Sequence, residues 1–334
     1  MSLAQDMETC RAMIRTGSFS FHAASRALPV RVRDPSIALY AFCRVADDEV
    51  DEGQDKASAV LRLRDRLDLI YQGRPRNAPS DRAFASIVEE FEMPRALPEA
   101  LLEGLAWDSL ERRYDTLNEL KGYAARVAAS VGAMMCVLMR VRDPDVLARA
   151  CDLGLAMHMT NIARDVGEDA RAGRLFLPLE WLAALGVEPE QFLARPSASP
   201  QIRECTALLL REAAELYRRA SPGVAGLPFD CRMAIYAAGH VYAAIGSEVR
   251  RQDYNSVTTR ARTTSAHKMR LMALSALQAG ISTVTPMSPR LHARPDPEVA
   301  FLVAAASRRA VVSARSEALL GILQQLEARD RTSV

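Results

Sequence analysis

Apolar residues return at every third and fourth position along almost the whole chain, which is the spacing of a helix face. Nowhere do they keep up the alternation that a half-buried strand requires. Proline and glycine interrupt the pattern near Gly17, Pro29, Gly73 to Pro79, Pro94 to Pro98, Gly122, Pro144, Gly173 to Pro178, Gly186 to Pro200, Pro222 to Pro228 and Thr283 to Pro297. The intervals predict roughly a dozen helices of ordinary length. Three of them, over Tyr123 to Arg140, Ala148 to Arg164 and Met233 to Val249, are apolar on most faces, as befits helices enclosed by others. No long polar or low-complexity linker separates two cores, so the expectation is one all-α domain over residues 1–334. Residues 283–297 are expected to be a flexible loop, with a last helix from Glu298 packing back.

Two of these predicted helices end in acid pairs, Asp47 with Asp51 and Asp165 with Asp169, and Asn161 precedes the second pair by one turn. Four residues is close to one helical turn of about 3.6, so each pair projects from one face. Both pairs follow apolar stretches, Ile37 to Cys43 and Leu153 to Met157, which places them in a cleft and not on an open surface. Carboxylates drawn together there need cations, and a hard divalent ion with oxygen ligands fits best, Mg²⁺ with Mn²⁺ as the substitute. If the two faces meet, four carboxylates and an amide converge with no basic residue between them on those faces. The competing reading is a pair of solvated acidic helix ends; two matched pairs, the second with its added Asn, weigh against it.

Composition narrows the partners. The 334 residues can bury a sizeable core, and 43 basic against 41 acidic residues leave no broad basic face for nucleic acid. Residues Met1 to Arg15 mix charged with apolar residues and read as no signal peptide, and no later run approaches the roughly twenty apolar residues of a membrane span. The six cysteines are scattered among apolar neighbours and read as reduced, buried thiols. A cytoplasmic protein is expected.

The segment Tyr40-Ala41-Phe42-Cys43-Arg44-Val45-Ala46-Asp47-Asp48-Glu49-Val50-Asp51-Glu52 resembles the first aspartate motif of the squalene and phytoene synthase family. Leu153 through Asp169, followed by Gly173-Arg174-Leu175-Phe176-Leu177-Pro178, resembles the second. Further similarity runs from Ser18 to about Arg262. It takes in Ser18-Phe19-Ser20-Phe21, Ser25 to Pro29, Gly104 to Asp108, Arg113-Tyr114 and Tyr123 with Val127-Ala128 and Val131-Gly132. The resemblance implies the helical isoprenoid synthase fold around a central cavity. By it, Asp47, Asp51, Asn161, Asp165 and Asp169 would ligate or orient metal ions. Arg44, Ser18 and Ser20 would hold diphosphate oxygens. Tyr242 would lie near the diphosphate, with Arg260 or Arg262 closing the site, and Tyr123 would line the cavity near the reacting carbons. Core tyrosines with satisfied hydroxyls are the competing reading of Tyr123 and Tyr242. Thr259 stands where many relatives carry the first arginine, and His158 stands where they commonly carry Gln. Met134, Met135, Met139, Met157 and Met159 are either tunnel lining or ordinary core.

The implied reaction joins two geranylgeranyl diphosphates head to head. One ionises to an allylic cation, the second molecule's double bond captures it as a cyclopropylcarbinyl diphosphate, and that intermediate ionises, rearranges and loses a proton to give a triene. NADPH is not expected. The wording of both motifs is nearest to bacterial carotenoid-pathway members. The alternatives are a dehydrosqualene or squalene synthase using farnesyl diphosphate, an all-α nucleotide pyrophosphohydrolase, and a scaffold that kept the fold without catalysis. An apolar product implies peripheral contact with the inner face of the membrane at release.

Overall fold

In the computed structural model the described residues are 3–17, 25–51, 56–285 and 288–307, and among them there is no strand. Ser18 and Ser20 fall outside this range, as does the side chain of Asp51. The helices are α1 (Leu3–Gly17), α2 (Val30–Asp51), α3 (Lys56–Tyr71), α4 (Pro79–Phe91), α5 (Ala96–Ser109), α6 (Leu117–Ala124), α7 (Ser130–Leu138) and α8 (Pro144–Arg171). They continue with α9 (Leu179–Ala184), α10 (Pro189–Ala194), α11 (Pro200–Val224), α12 (Phe229–Arg251), α13 (Ser265–Ile281) and α14 (Ala300–Ala306). One continuous buried cluster draws on nearly all of them.

The long central helix α8 begins as its sequence directs. Asp143 accepts hydrogen bonds from the N–H groups of Asp145 (2.9 Å) and Val146 (3.2 Å), and Pro144, with its φ already fixed, fills the first turn. Ser199 and Pro200 repeat the device at α11, which packs along much of α8. On the opposite side α6 and α7 join through a π-helical turn, Ala125–Ala129. Gly154 of α8 lies against it, and a Cβ there would stand 2.7 Å from Ala129 Cα and 2.8 Å from the Ala128 carbonyl oxygen. Gly132 makes the reciprocal approach, 2.7 Å from the Ala150 carbonyl. Backbones this close need glycine on each helix.

Two breaks have no glycine or proline to mark them. The chain turns after α5 at Glu111 (φ 50°) and after α12 at Asp253 and Tyr254 (φ 53° and 56°), all in the left-handed region. Conversely Gly122 and Pro222, which read as interruptions, sit inside α6 and α11. Residues 288–297, within the loop expected at 283–297, hold short 3-10 turns at Pro289–His292 and Pro297–Val299 and several anchoring contacts. Leu291 is buried, Arg149 donates to the Arg290 carbonyl (2.7 Å), and Arg219 pairs with Asp296 (2.7 Å). The segment is tied to α8 and α11 by buried charge.

Candidate active site

Helix α8 places Arg149, Leu153, Met157, Asn161, Asp165 and Asp169 at a constant spacing of four, so one slowly turning stripe runs its length. The first four of these border a cavity of about 420 Å³. Helix α2 adds Ser36, Leu39, Tyr40 and Cys43, α12 adds Ala234, Ile235, Ala238 and Tyr242, and the π-turn and α7 add Val127, Ala128, Val131 and Gly132. A π-turn carries an extra residue per turn, so it changes which side chains face inward, and such turns recur at functional sites. Met135, Met139 and Met157 line the cavity, whereas Met134 and Met159 are fully buried core residues away from it.

All three wall helices run with their C-terminal ends toward Asn161 and Tyr242, where the acids stand. Those ends carry partial negative charge, which the carboxylates deepen, so the mouth favours cations. Arginines supply part of that need, which corrects the expectation that no basic residue lies between the acids. Arg44 pairs with Asp48 (2.6 Å) and stands 3.8 Å from Asp47. Arg164 pairs with Asp165, and Arg260 bridges Asp165 (2.9 Å) and Glu168 (3.1 Å). Arg174 reaches Asp169 at 3.3 Å. Among the described residues no three acidic, histidine or cysteine side chains stand together as a ready metal cluster. A lone buried carboxylate cannot stay charged, so each turns to the nearest guanidinium.

The electrostatics of the second pair follow. Burial by itself pushes Asp165 up, but the hydrogen bonds and charges of Arg164 and Arg260 outweigh it and hold its carboxyl below the usual range. Burial pushes Asp169 up to about 6, with Arg174 opposing and Asp165 adding to the rise. The Asn161 amide is hydrogen bonded to the Tyr242 hydroxyl, and burial raises that phenol. Asn161 Oδ1 is buried with no hydrogen-bond partner. An orphaned carbonyl-type oxygen beside carboxylates is the donor a hard divalent ion takes, so Asn161, Asp165 and Asp169 fit such an ion.

Tyr123 lies one ring behind the wall and does not border the cavity. Its hydroxyl donates to Asp108 (2.7 and 2.9 Å to the two oxygens), and it stacks with Tyr114 and Phe176, ring centres 5.2 and 5.5 Å away. His158 meets it edge-on at 5.3 Å and does border the cavity. Apolar surroundings push His158 down to about 4, and its Nε2 has no partner. Arg260 joins the acids as expected, while Arg262 is exposed and brought to none of them. Arg164, Arg174 and Arg149 were not singled out beforehand; their place on or beside the α8 stripe was the available signal.

A sequence profile described as squalene/phytoene synthase matches residues 14–270. The phytoene synthase of Rhodobacter capsulatus is 64% identical over 98% of this chain and 97% of its own, and the 15-cis-phytoene synthase of a Paracoccus species is 38% identical over 80% and 89%. Among solved structures, a dehydrosqualene synthase in complex with ligand superposes with a TM-score of 0.77 at 30% identity, covering 84% of this chain and 98% of that one. A squalene synthase from Alicyclobacillus acidocaldarius follows at 0.71 and 26%, covering 76% and 96%. With a matching profile over most of its length, near full-length relatives and the same helical isoprenoid synthase fold, the chain belongs to the squalene/phytoene synthase family.

Proposed function

We infer that the protein is a prenyltransferase that condenses two geranylgeranyl diphosphates head to head to phytoene, releasing diphosphate at each ionisation. The near full-length identity to a phytoene synthase carries this reading and favours the C20 substrate over farnesyl diphosphate. The geometry supports it at both ends of the cavity. A dry, apolar hollow shelters a carbocation and an isoprenoid tail from water, and the charged mouth receives the diphosphate.

The family uses divalent metal with its diphosphate substrates. Here Asp47, Asp51, Asn161, Asp165 and Asp169 would hold Mg²⁺, or Mn²⁺ in its place, which when bound neutralises the charge that builds on the leaving diphosphate. Arg44, Arg164 and Arg260 are already at the mouth, and a guanidinium fork can leave a carboxylate for phosphate oxygens. Asn161 and Tyr242 sit where the mouth meets the cavity and orient the reacting end. Tyr123, held by Asp108, braces His158 from behind. Ser18 and Ser20 would add hydroxyls to the diphosphate. Deprotonation ends the sequence, so NADPH has no role in this reading. Peripheral membrane contact belongs to the same reading, because the product is more apolar than its substrates. The exposed row Leu274, Leu277 and Ile281 on α13 supports it. No described helix is long and apolar enough to cross a membrane.

Purified protein with Mg²⁺ and geranylgeranyl diphosphate, without NADPH, should yield a C40 triene on mass analysis of the extract. Asp165→Asn, which removes a charge from the mouth, should lower kcat about 10²- to 10³-fold. A C30 product from farnesyl diphosphate alone would overturn the chain length and keep the chemistry. No hydrocarbon from either substrate, with folded protein, would overturn the function.

A further inference from the structure

The cavity has a second end, away from the acids. Val146, Ala220, Gly223, Val224 and Leu227 meet there around Arg149. Arg149 stands twelve residues below Asn161 on α8, about 18 Å at the helical rise. Its side chain has 0% exposure. Gly223 permits the closeness, for a Cβ there would stand 2.2 Å from Arg149 Cβ and 2.8 Å from Cγ. Arg149 thus borders an apolar hollow while α11 presses on the root of its side chain.

The head is fixed by two buried partners. Its Nε is 2.9 Å from Asp152 Oδ2, and its Nη1 donates to the Arg290 carbonyl at 2.7 Å. Arg219 also reaches Asp152 (3.3 Å) and ties it to Asp296 (2.7 Å), which stands 3.3 Å from Lys121. Of this network only Arg149 touches the cavity. A leucine or methionine at the floor could swing aside for a longer tail. An arginine pinned by a buried carboxylate and a carbonyl cannot, because moving it weakens the pairing of the buried carboxylate and leaves the carbonyl without its donor.

We propose that Arg149 is the floor that sets the upper length of prenyl chain the enzyme accepts, with the Asp152–Arg219–Asp296 network as its rigid support. This rests on the prenyl diphosphate reading above. The added isoprenoid unit of a C25 diphosphate would have to lie where the stem of Arg149 now lies.

The test compares kcat/KM for C15, C20 and C25 diphosphates by hydrocarbon mass, in variants that remove Arg149 and Asp152 together so that no buried charge is left alone. Arg149→Ala with Asp152→Ala should raise C25 use relative to C20 about tenfold or more, since small changes in apolar volume are worth that much in discrimination. Arg149→Met with Asp152→Ala restores the bulk of the stem without its anchor and should bring the ratio part of the way back, between the alanine double variant and the wild type, which a merely structural role would not require. Val224→Phe fills the same end without touching a charge and should shift preference about tenfold from C20 toward C15. A folded alanine double variant that keeps the wild-type ratio overturns the proposal. If that variant fails to fold, an unchanged ratio in Val224→Phe overturns it. Wild-type protein that makes no hydrocarbon from C15 or C20 substrate instead overturns the underlying reading, and a wild type that uses only C15 moves the same comparison one unit down.

Discussion

The two ends of α8 both carry charge, and they hold it in opposite ways. At the mouth Asp165 is 15% exposed and its partner Arg260 45%, and the same arginine also serves Glu168. At the floor Arg149 and Asp152 are both at 0%. Mouth pairs lie where a charged ligand can compete for either member, whereas breaking the floor pair leaves a charge with no solvent to receive it. Charge at the mouth is exchangeable and suits binding; charge at the floor is locked and suits shape.

That contrast breaks most sharply at Arg149. Arg149→Ala alone leaves Asp152 in the core with only the longer contact to Arg219 (3.3 Å) and should destabilise the fold by about 3 kcal/mol in urea titration, while the double variant with Asp152→Ala recovers part of the loss. Burial already pushes Asp152 up to about 6, against the pull of Arg149 and Arg219, so its charge is held at a strain even with both arginines present. A single-variant loss below that of the double variant would mean the floor pair behaves like a surface pair.

How much of this was legible beforehand differs between the two ends. That Asn161, Asp165 and Asp169 share one helix face could be read, because their spacing of four is that of a helical turn. The all-α fold could be read for the same periodic reason. The arginines answering those acids could not, since Arg164 neighbours Asp165 on a different face and Arg260 arrives from a loop whose turn, at Asp253 and Tyr254, uses no glycine. Nor could the floor. Arg149 looks like a solvated residue of an amphipathic helix until Gly223 and residues 290–296 close over it. The contacts of the expected loop at 283–297 were hidden on the same ground, because Asp296 finds its partners on α6 and α11, far along the chain.

Between the two ends, His158 gives a titratable probe of the cavity wall. Folding keeps its imidazole neutral down to about 4, against an ordinary value near 6.5. Between those values the unfolded chain binds a proton that the folded one does not, so stability rises with pH there. The contribution is fully present above about 6.5 and is lost as pH falls toward 4. At pH 5 the loss amounts to up to about 2 kcal/mol. In urea titrations at pH 7 and pH 5, His158→Gln should shrink the difference by that amount. An unchanged difference would mean that water reaches the ring and the wall is not dry.

The smallest expected effect separates binding from stability at the mouth itself. Arg260 is half exposed, so its pairs with Asp165 and Glu168 contribute at most about 1 kcal/mol to folding, and Arg260→Ala should scarcely move the urea midpoint. If the same guanidinium turns to diphosphate oxygens, its removal should raise KM about 10- to 100-fold, because a charge-assisted hydrogen bond in a partly enclosed site is worth about 1.5–3 kcal/mol. Arg260→Lys keeps the charge without the fork and should fall between the two. Its KM should also depend more steeply on salt than that of the wild type, since a point charge relies on Coulomb attraction where a fork adds directed hydrogen bonds. Equal KM values in all three proteins would assign Arg260 to the resting ion pairs alone and leave diphosphate binding to Arg44 and Arg164.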